Sequence, residues 1–137
     1  MPADLTFRNV RVVDGSGGAA FEADVSVSDG VIVAVGEGMA ASREIDGRGL
    51  VLSPGFVDTH SHDDGAFLRY PGMEFKLAQG VTTEVSGNCG FSAAPNVPGV
   101  QIMPGDIVGP GADWEDLDGY FAACEKRGPA INNAMLV

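Results

Sequence analysis

His60 and His62 are the only histidines in the chain, and they stand two residues apart within Pro54-Gly55-Phe56-Val57-Asp58-Thr59-His60-Ser61-His62-Asp63-Asp64. Alternate residues of a β-strand share a face, so the two imidazoles can aim at one point. Neutral imidazole is the commonest metal ligand, and a pair on one rigid strand has little orientational freedom left to lose when an ion arrives. A bare His-x-His pair also occurs as ordinary surface or core histidine. What favours a metal here is placement, at the end of an apolar strand and just before a polar loop.

Cys89 is the candidate third donor. Phe56 to His62 reads as a strand, Met73 to Gln79 as a helix with Gly80 at its C′ position, and Val81 to Ser86 as a second strand. Strand, helix, strand at this spacing is a βαβ crossover, which makes the strands parallel, with Met73 and Leu77 forming the helix face that packs on the sheet. Neighbouring parallel strands lie about 4.8 Å apart and end on the same edge, so Cys89, in Ser86-Gly87-Asn88-Cys89-Gly90, can meet both histidines. Glycine on either side lets the backbone turn sharply and leaves the sulfur accessible. A thiol beside a dication is deprotonated, and a thiolate with two imidazoles suits zinc; the alternative is a small buried hydrophobe. Asp58 shares the histidines' parity and is either a pocket residue or a buried carboxylate satisfied by hydrogen bonds. Asp63, Asp64 and Asn88 are candidates to orient the ligands or line the pocket, with plain solvation as the alternative for the two loop carboxylates.

The elements that must hold these residues fall into two parts. Residues 1–54 read as a small β unit. The apolar parity of Leu5 and Phe7 shifts to Val10 and Val12 across Arg8 and Asn9, as in two short strands with a bend between them. Asp29-Gly30, between alternating Val25-Val27 and Val31-Val35, is a tight-hairpin signal. Glu44 to Leu52 gives a further strand broken at Gly47-Gly49. Residues 55–137 carry the βαβ pattern. A later helix holds Leu117, Tyr120, Phe121 and Cys124 as one apolar stripe, with Asp113 as its cap and Glu115 and Asp116 in its first turn, which makes Cys124 a core residue. Gly119 inside that helix has no local explanation. The proline- and glycine-rich stretch 95–112 is either a substrate rim or a mobile insertion. Residues 130–137 begin a third strand.

The chain has 137 residues, 45% hydrophobic and 20% charged, enough for one soluble globular unit with a modest core. A net charge of -11 with only eight Lys and Arg argues against nucleic-acid or acidic-membrane partners. The N-terminus lacks a secretory pattern, no apolar run reaches membrane-spanning length, and two cysteines fit a reducing cytoplasm.

The stretch from Pro54 to His62 resembles the first barrel strand of the amidohydrolase superfamily, with Pro54, Gly55, Asp58, His60 and His62 all matching. Together with Gly80-Val81-Thr82-Thr83-Glu84-Val85-Ser86-Gly87-Asn88-Cys89-Gly90, it is similar to the N-acyl-D-amino-acid deacylases, or D-aminoacylases. The resemblance implies an α/β fold: the N-terminal part of a (β/α)8 TIM-barrel metal-dependent hydrolase, preceded by a small β-sandwich segment that residues near a distant C-terminus complete. It also implies one or two zinc ions, with Cys89 where many amidohydrolases carry a carboxylated lysine, and a small-molecule N-acyl-D-amino acid as substrate.

A complete barrel needs about 250 residues, so residues 55–137 hold fewer than three of its βα units. Two further histidines and a general-base aspartate are implied beyond this chain, which is expected to be an inactive N-terminal fragment that self-associates or dissolves poorly. The alternatives are an amidohydrolase acting on cyclic amides or ureas, and a non-catalytic remnant or interaction module whose histidines bind nothing.

Overall fold

A computed structural model describes residues 1–96 and 113–137 and divides the chain into two compact units, Met1–Pro54 and Gly55–Val137. Residues 97–112, most of the expected rim or insertion, lie outside the described residues.

The first unit is a five-stranded sheet of β1 (Ala3–Val12), β2 (Phe21–Ser28), β3 (Val31–Gly36), β4 (Ala41–Asp46) and β5 (Val51–Leu52). Its order is β3-β2-β1-β4, with β5 also pairing β1; β1–β2 and β2–β3 are antiparallel, whereas β4 and β5 run parallel to β1. The parity shift across Arg8 and Asn9 marks a bulge in one continuous strand, rather than a break between two. Phe7 pairs with Val25 and Val10 with Ala23, so two residues of β1 oppose one of β2. Asn9 takes the left-handed conformation the bulge needs (φ 55°), and its N–H donates to Asp24 Oδ1 at 2.8 Å. Past the bulge, Val10 and Val12 face inward with Ala23 and Val25 as the core of this unit. Asp29 and Gly30 both have positive φ (49° and 74°), as a type I′ hairpin turn requires.

The second unit is a three-stranded, wholly parallel sheet in the order β6-β7-β8: β6 (Phe56–Asp58), β7 (Val81–Ser86) and β8 (Asn132–Met135). The crossover from β6 to β7 is not the single helix expected. It contains two single-turn helices, α1 (Ala66–Arg69) and α2 (Glu74–Leu77), separated by Pro71-Gly72 and by Met73 in a left-handed conformation (φ 45°). Met73 is fully buried as expected, but Leu77 is 40% exposed; Lys76, at 8%, takes the inward position instead.

The connection from β7 to β8 contains α3 (Leu117–Glu125). Its cap is Asp116, not Asp113: the Asp116 carboxylate accepts from the Gly119 N–H at 2.9 Å. Gly119 acquires its reason here. A Cβ at that position would lie 2.9 Å from Cβ of Trp114, so only glycine lets the indole fold back over the start of the helix. There the Trp114 indole N–H donates to the Ala93 carbonyl at 2.8 Å and its ring meets Tyr120 edge-on at 5.5 Å. Phe67, Met73, Ala93, Ala94, Tyr120, Cys124 and Ile131 complete this core, with Cys124 buried as the apolar stripe predicts. Asp116→Ala removes the cap and is expected to lower stability by about 1 kcal/mol, read from the urea midpoint at unchanged slope. Among the described residues no helix is long and apolar enough to cross a membrane.

Candidate metal centre

The strand that was to carry both histidines ends at Asp58, so His60 and His62 sit in the irregular segment between β6 and α1. Strand alternation is therefore not what brings them together. Asp58 Oδ1 accepts from the His60 backbone N–H at 3.2 Å, turning the chain at the strand end, and the two rings meet edge-on with centroids 5.6 Å apart. Phe91 meets the His62 ring edge-on, with centroids 5.9 Å apart.

Cys89 comes to the same place from β7. After Ser86 the backbone passes through Gly87 (φ 76°), Cys89 (φ 59°) and Gly90 (φ 76°), with one 3-10 turn over Asn88–Gly90. A left-handed cysteine is disfavoured by roughly 1 kcal/mol and persists only where the surroundings over-determine it. Asn88 supplies part of that constraint: it is buried, and its Nδ2 donates to the carbonyls of Val85 at 2.8 Å and Ser61 at 3.3 Å, tying the turn to the histidine segment. The Cys89 Sγ then stands 3.3 Å from His60 Nε2.

One ligand atom from each of His60, His62 and Cys89 lies within 4.8 Å of the others, and all three side chains are exposed. The edges of a tetrahedron around zinc measure roughly 3.3–3.8 Å, from metal–ligand bonds of about 2.0–2.3 Å. The 3.3 Å between Cys89 Sγ and His60 Nε2 already falls in that range, and two imidazoles with one cysteine sulfur match the ion chemically.

The other expected pocket residues surround this set differently from one another. Asp58 and Asp63 both face Lys76, whose Nζ lies 2.7 Å from Asp58 Oδ2 and 2.9 Å from Asp63 Oδ2. The Lys76 ammonium, helped by the His60 N–H, holds the Asp58 carboxyl below its ordinary pKa. Asp64 is not solvated: it is fully buried, Oδ1 accepts from the Ala93 N–H at 3.2 Å, and Oδ2 has no hydrogen-bond partner. That desolvation pushes its pKa up. Its backbone carbonyl accepts from the Tyr120 hydroxyl at 2.9 Å, anchoring the end of the histidine segment to the core.

Two residues of this neighbourhood escaped the sequence reading. Lys76 meets not only Asp58 and Asp63 but also Glu84 Oε2, at 3.2 Å, and Ser61 Oγ, at 3.4 Å. Glu84 is fully buried in β7, and neither of its oxygens receives a hydrogen bond of good geometry. Burial pushes the Glu84 carboxyl up against the opposing pull of Lys76. Burial equally opposes the lysine's charge, but the hydrogen bond to Asp58 and the close carboxylates of Asp63 and Glu84 outweigh it and hold the ammonium protonated well above its ordinary range. The available signal was a charged residue on the buried parity of a central strand, with an opposite charge in the helical turn preceding it.

Residues 43–122 match the model of the amidohydrolase family. The chain belongs to that family. It is 42% identical over 137 residues to the N-acyl-D-glutamate deacylase of Alcaligenes xylosoxydans xylosoxydans, covering 98% of this chain and 28% of that protein. It is 38% identical over 140 residues to the D-aminoacylase of the same organism, covering 99% of this chain and 29% of that one. Among solved structures, the N-acyl-D-glutamate deacylase from Bordetella bronchiseptica, complexed with zinc and a phosphonate mimic of the tetrahedral intermediate, superposes with a TM-score of 0.88 at 38% identity. That superposition covers 100% of this chain and 30% of the other. The chain therefore spans less than a third of the length of each of these relatives.

Proposed function

We propose that this chain forms the zinc-holding N-terminal part of a hydrolase that cleaves N-acyl-D-amino acids to a D-amino acid and a carboxylate. The observation that carries the reading is the meeting of Cys89 with His60 and His62 in one exposed cluster. Likeness to deacylases across nearly the whole chain gives it a substrate class.

In that role His60 and His62 are neutral donors and Cys89 the single anionic one. This leaves a dication with a net positive charge at the site. Zinc so held supplies Lewis-acid polarisation of an amide carbonyl together with acidification of water. Exposure of all three side chains leaves that face open to a substrate, while Asp58 and Asn88 fix the backbones on either side. Further metal ligands, the proton-carrying aspartate and the rest of a (β/α)8 barrel would come from outside this chain. So would the cover for an apolar concavity of about 470 Å³ on the first unit, bordered by Phe7, Val12, Phe21, Ile32 and Leu52, where a β-sandwich would close. Two free thiols, at Cys89 and Cys124, suit a reducing cytoplasmic setting.

The test is metal content. The purified chain, dialysed against micromolar zinc, is expected to retain the ion stoichiometrically by elemental analysis, and the His60→Ala/His62→Ala double variant to lose it. Failure of the unsubstituted chain to retain metal would refute the reading. The chain by itself is expected to release no D-amino acid from N-acetyl-D-glutamate; turnover that vanishes on Cys89→Ala would show that residues 1–137 suffice.

A further inference from the structure

The segment bearing the two histidines has no regular structure of its own: β6 stops at Asp58 and α1 starts at Ala66. Its position depends on side chains. Lys76 is the one that reaches most of it. Its ammonium contacts Asp58 before the histidines, Ser61 between them and Asp63 after them, at 2.7, 3.4 and 2.9 Å. Its fourth partner, Glu84 at 3.2 Å, lies in β7, the strand that runs on into the Cys89 turn. One cation thus joins the histidine segment to the strand that delivers the cysteine.

We infer that Lys76 is a positioning residue for the metal centre, its ammonium locking the His60–His62 segment onto β7 so that both imidazoles and the thiolate are assembled before an ion binds. This inference rests on the metal-binding reading above. A cluster selected for stability alone would not take this form. Lys76 and Glu84 are buried while Asp58 and Asp63 stay about a third exposed, so the Lys76–Glu84 pair carries desolvation costs that two packed apolar residues would avoid, and replacing both members of such a pair is often neutral or stabilising. The arrangement makes sense if what it provides is geometry; partners that hydrogen-bond metal ligands directly are typically worth about 10–100-fold in affinity, and that sets the scale for a residue that holds the segment carrying them.

Lys76→Met keeps the buried stem and deletes the charge, and three accounts predict different signs for it. Loss of positioning weakens metal binding. Electrostatics alone strengthens it, because three carboxylates left without their cation attract a dication. A purely structural lysine leaves the affinity of the folded chain unchanged. The experiment titrates the purified 137-residue chain and its Lys76→Met variant with cobalt(II), following the near-ultraviolet thiolate-to-cobalt band, and with zinc by chelator competition. Folding is followed separately by circular dichroism and metal-free urea unfolding.

Lys76→Met is expected to bind both ions ten- to a hundred-fold more weakly, with a reduced thiolate band at saturation. Equal or tighter binding by the folded variant would overturn the inference while leaving the metal centre standing. Absence of binding by the unsubstituted chain would instead remove the metal centre itself. Should Lys76→Met fail to fold, Glu84→Gln decides, since it is isosteric and releases only the β7 end of the lock. Binding weakened about threefold or more supports the inference, and unchanged binding overturns it.

Discussion

Cys89→Ala is expected to weaken zinc binding by about two to three orders of magnitude without unfolding the chain. Structural zinc in small domains contributes roughly 10–16 kcal/mol through four ligands, so one ligand accounts for about 2.5–4 kcal/mol. The sulfur is also the only anionic donor in the set of three. Cys124 cannot replace it, because it is buried in the core of the same unit. Since Cys89 is exposed and its sulfur hydrogen-bonds only His60 among the described residues, metal-free stability should change little on removal of its side chain. Cys89→Gly sharpens the result. Glycine relieves the left-handed backbone (φ 59°), so this variant should be about 1 kcal/mol more stable than the unsubstituted chain in the presence of a chelator, while being just as deficient in zinc binding. Stability rising as metal affinity falls would mark the cysteine as kept for chemistry at a conformational cost. Chelator-competition titrations and urea melts measure the two quantities; a Cys89→Ala variant that held zinc as tightly as its parent would exclude the sulfur as a ligand.

Gly87→Ala should cost about 2–4 kcal/mol and disturb the same site from behind. A Cβ at Gly87 would lie 2.2 Å from the carbonyl oxygen of Leu136 and 3.1 Å from its nitrogen, and this is backbone, not a side-chain tip that can swing aside. The Leu136 N–H donates to the Ser86 carbonyl at 3.0 Å, so displacing Leu136 also breaks the tie between the ends of β7 and β8. Overpacking of this kind costs about 1–3 kcal/mol, and the positive φ of 76° adds roughly 1 kcal/mol for alanine. Gly90 is the matched control. It has the same φ of 76° with nothing within 4 Å, so Gly90→Ala should cost only about 1 kcal/mol. Urea unfolding of the pair separates steric clash from conformational strain; equal losses at the two positions would mean that the Leu136 approach does not matter. Because Gly87 starts the turn that presents Cys89, the alanine variant should also lose zinc affinity beyond any loss at Gly90.

What the sequence made legible was local. The Asp29-Gly30 hairpin, the strand Val81–Ser86 and the burial of Cys124 each depend on residues within a few positions of one another, where period and turn chemistry act directly; the parity shift around Arg8-Asn9 was visible too, but it marks a bulge within one strand and not the expected break between two. The meeting of His60, His62 and Cys89 was legible too, but for a partly mistaken reason. His60 and His62 converge with Cys89 although β6 ends at Asp58, because side chains and not strand alternation place them. The crossover was misjudged where tertiary demands overrode pattern. Pro71-Gly72 and left-handed Met73 split it into two single turns, and Leu77, apolar and in helical register, was left outside while Lys76 went in. No periodicity could announce Lys76, since its burial is intelligible only once Asp58, Asp63 and Glu84 are known to surround it from three places in the chain. Gly119 shows the same limit at smaller scale: it is explained by Trp114, which had to be seen folded back.

The account turns on whether sulfur and imidazole bind one ion, and zinc-edge X-ray absorption of the zinc-loaded chain measures that directly. One sulfur scatterer at about 2.3 Å alongside nitrogen scatterers at about 2.0–2.1 Å is the predicted coordination shell, with the sulfur lost in Cys89→Ala. A shell containing only nitrogen and oxygen, unchanged by that substitution, would contradict it.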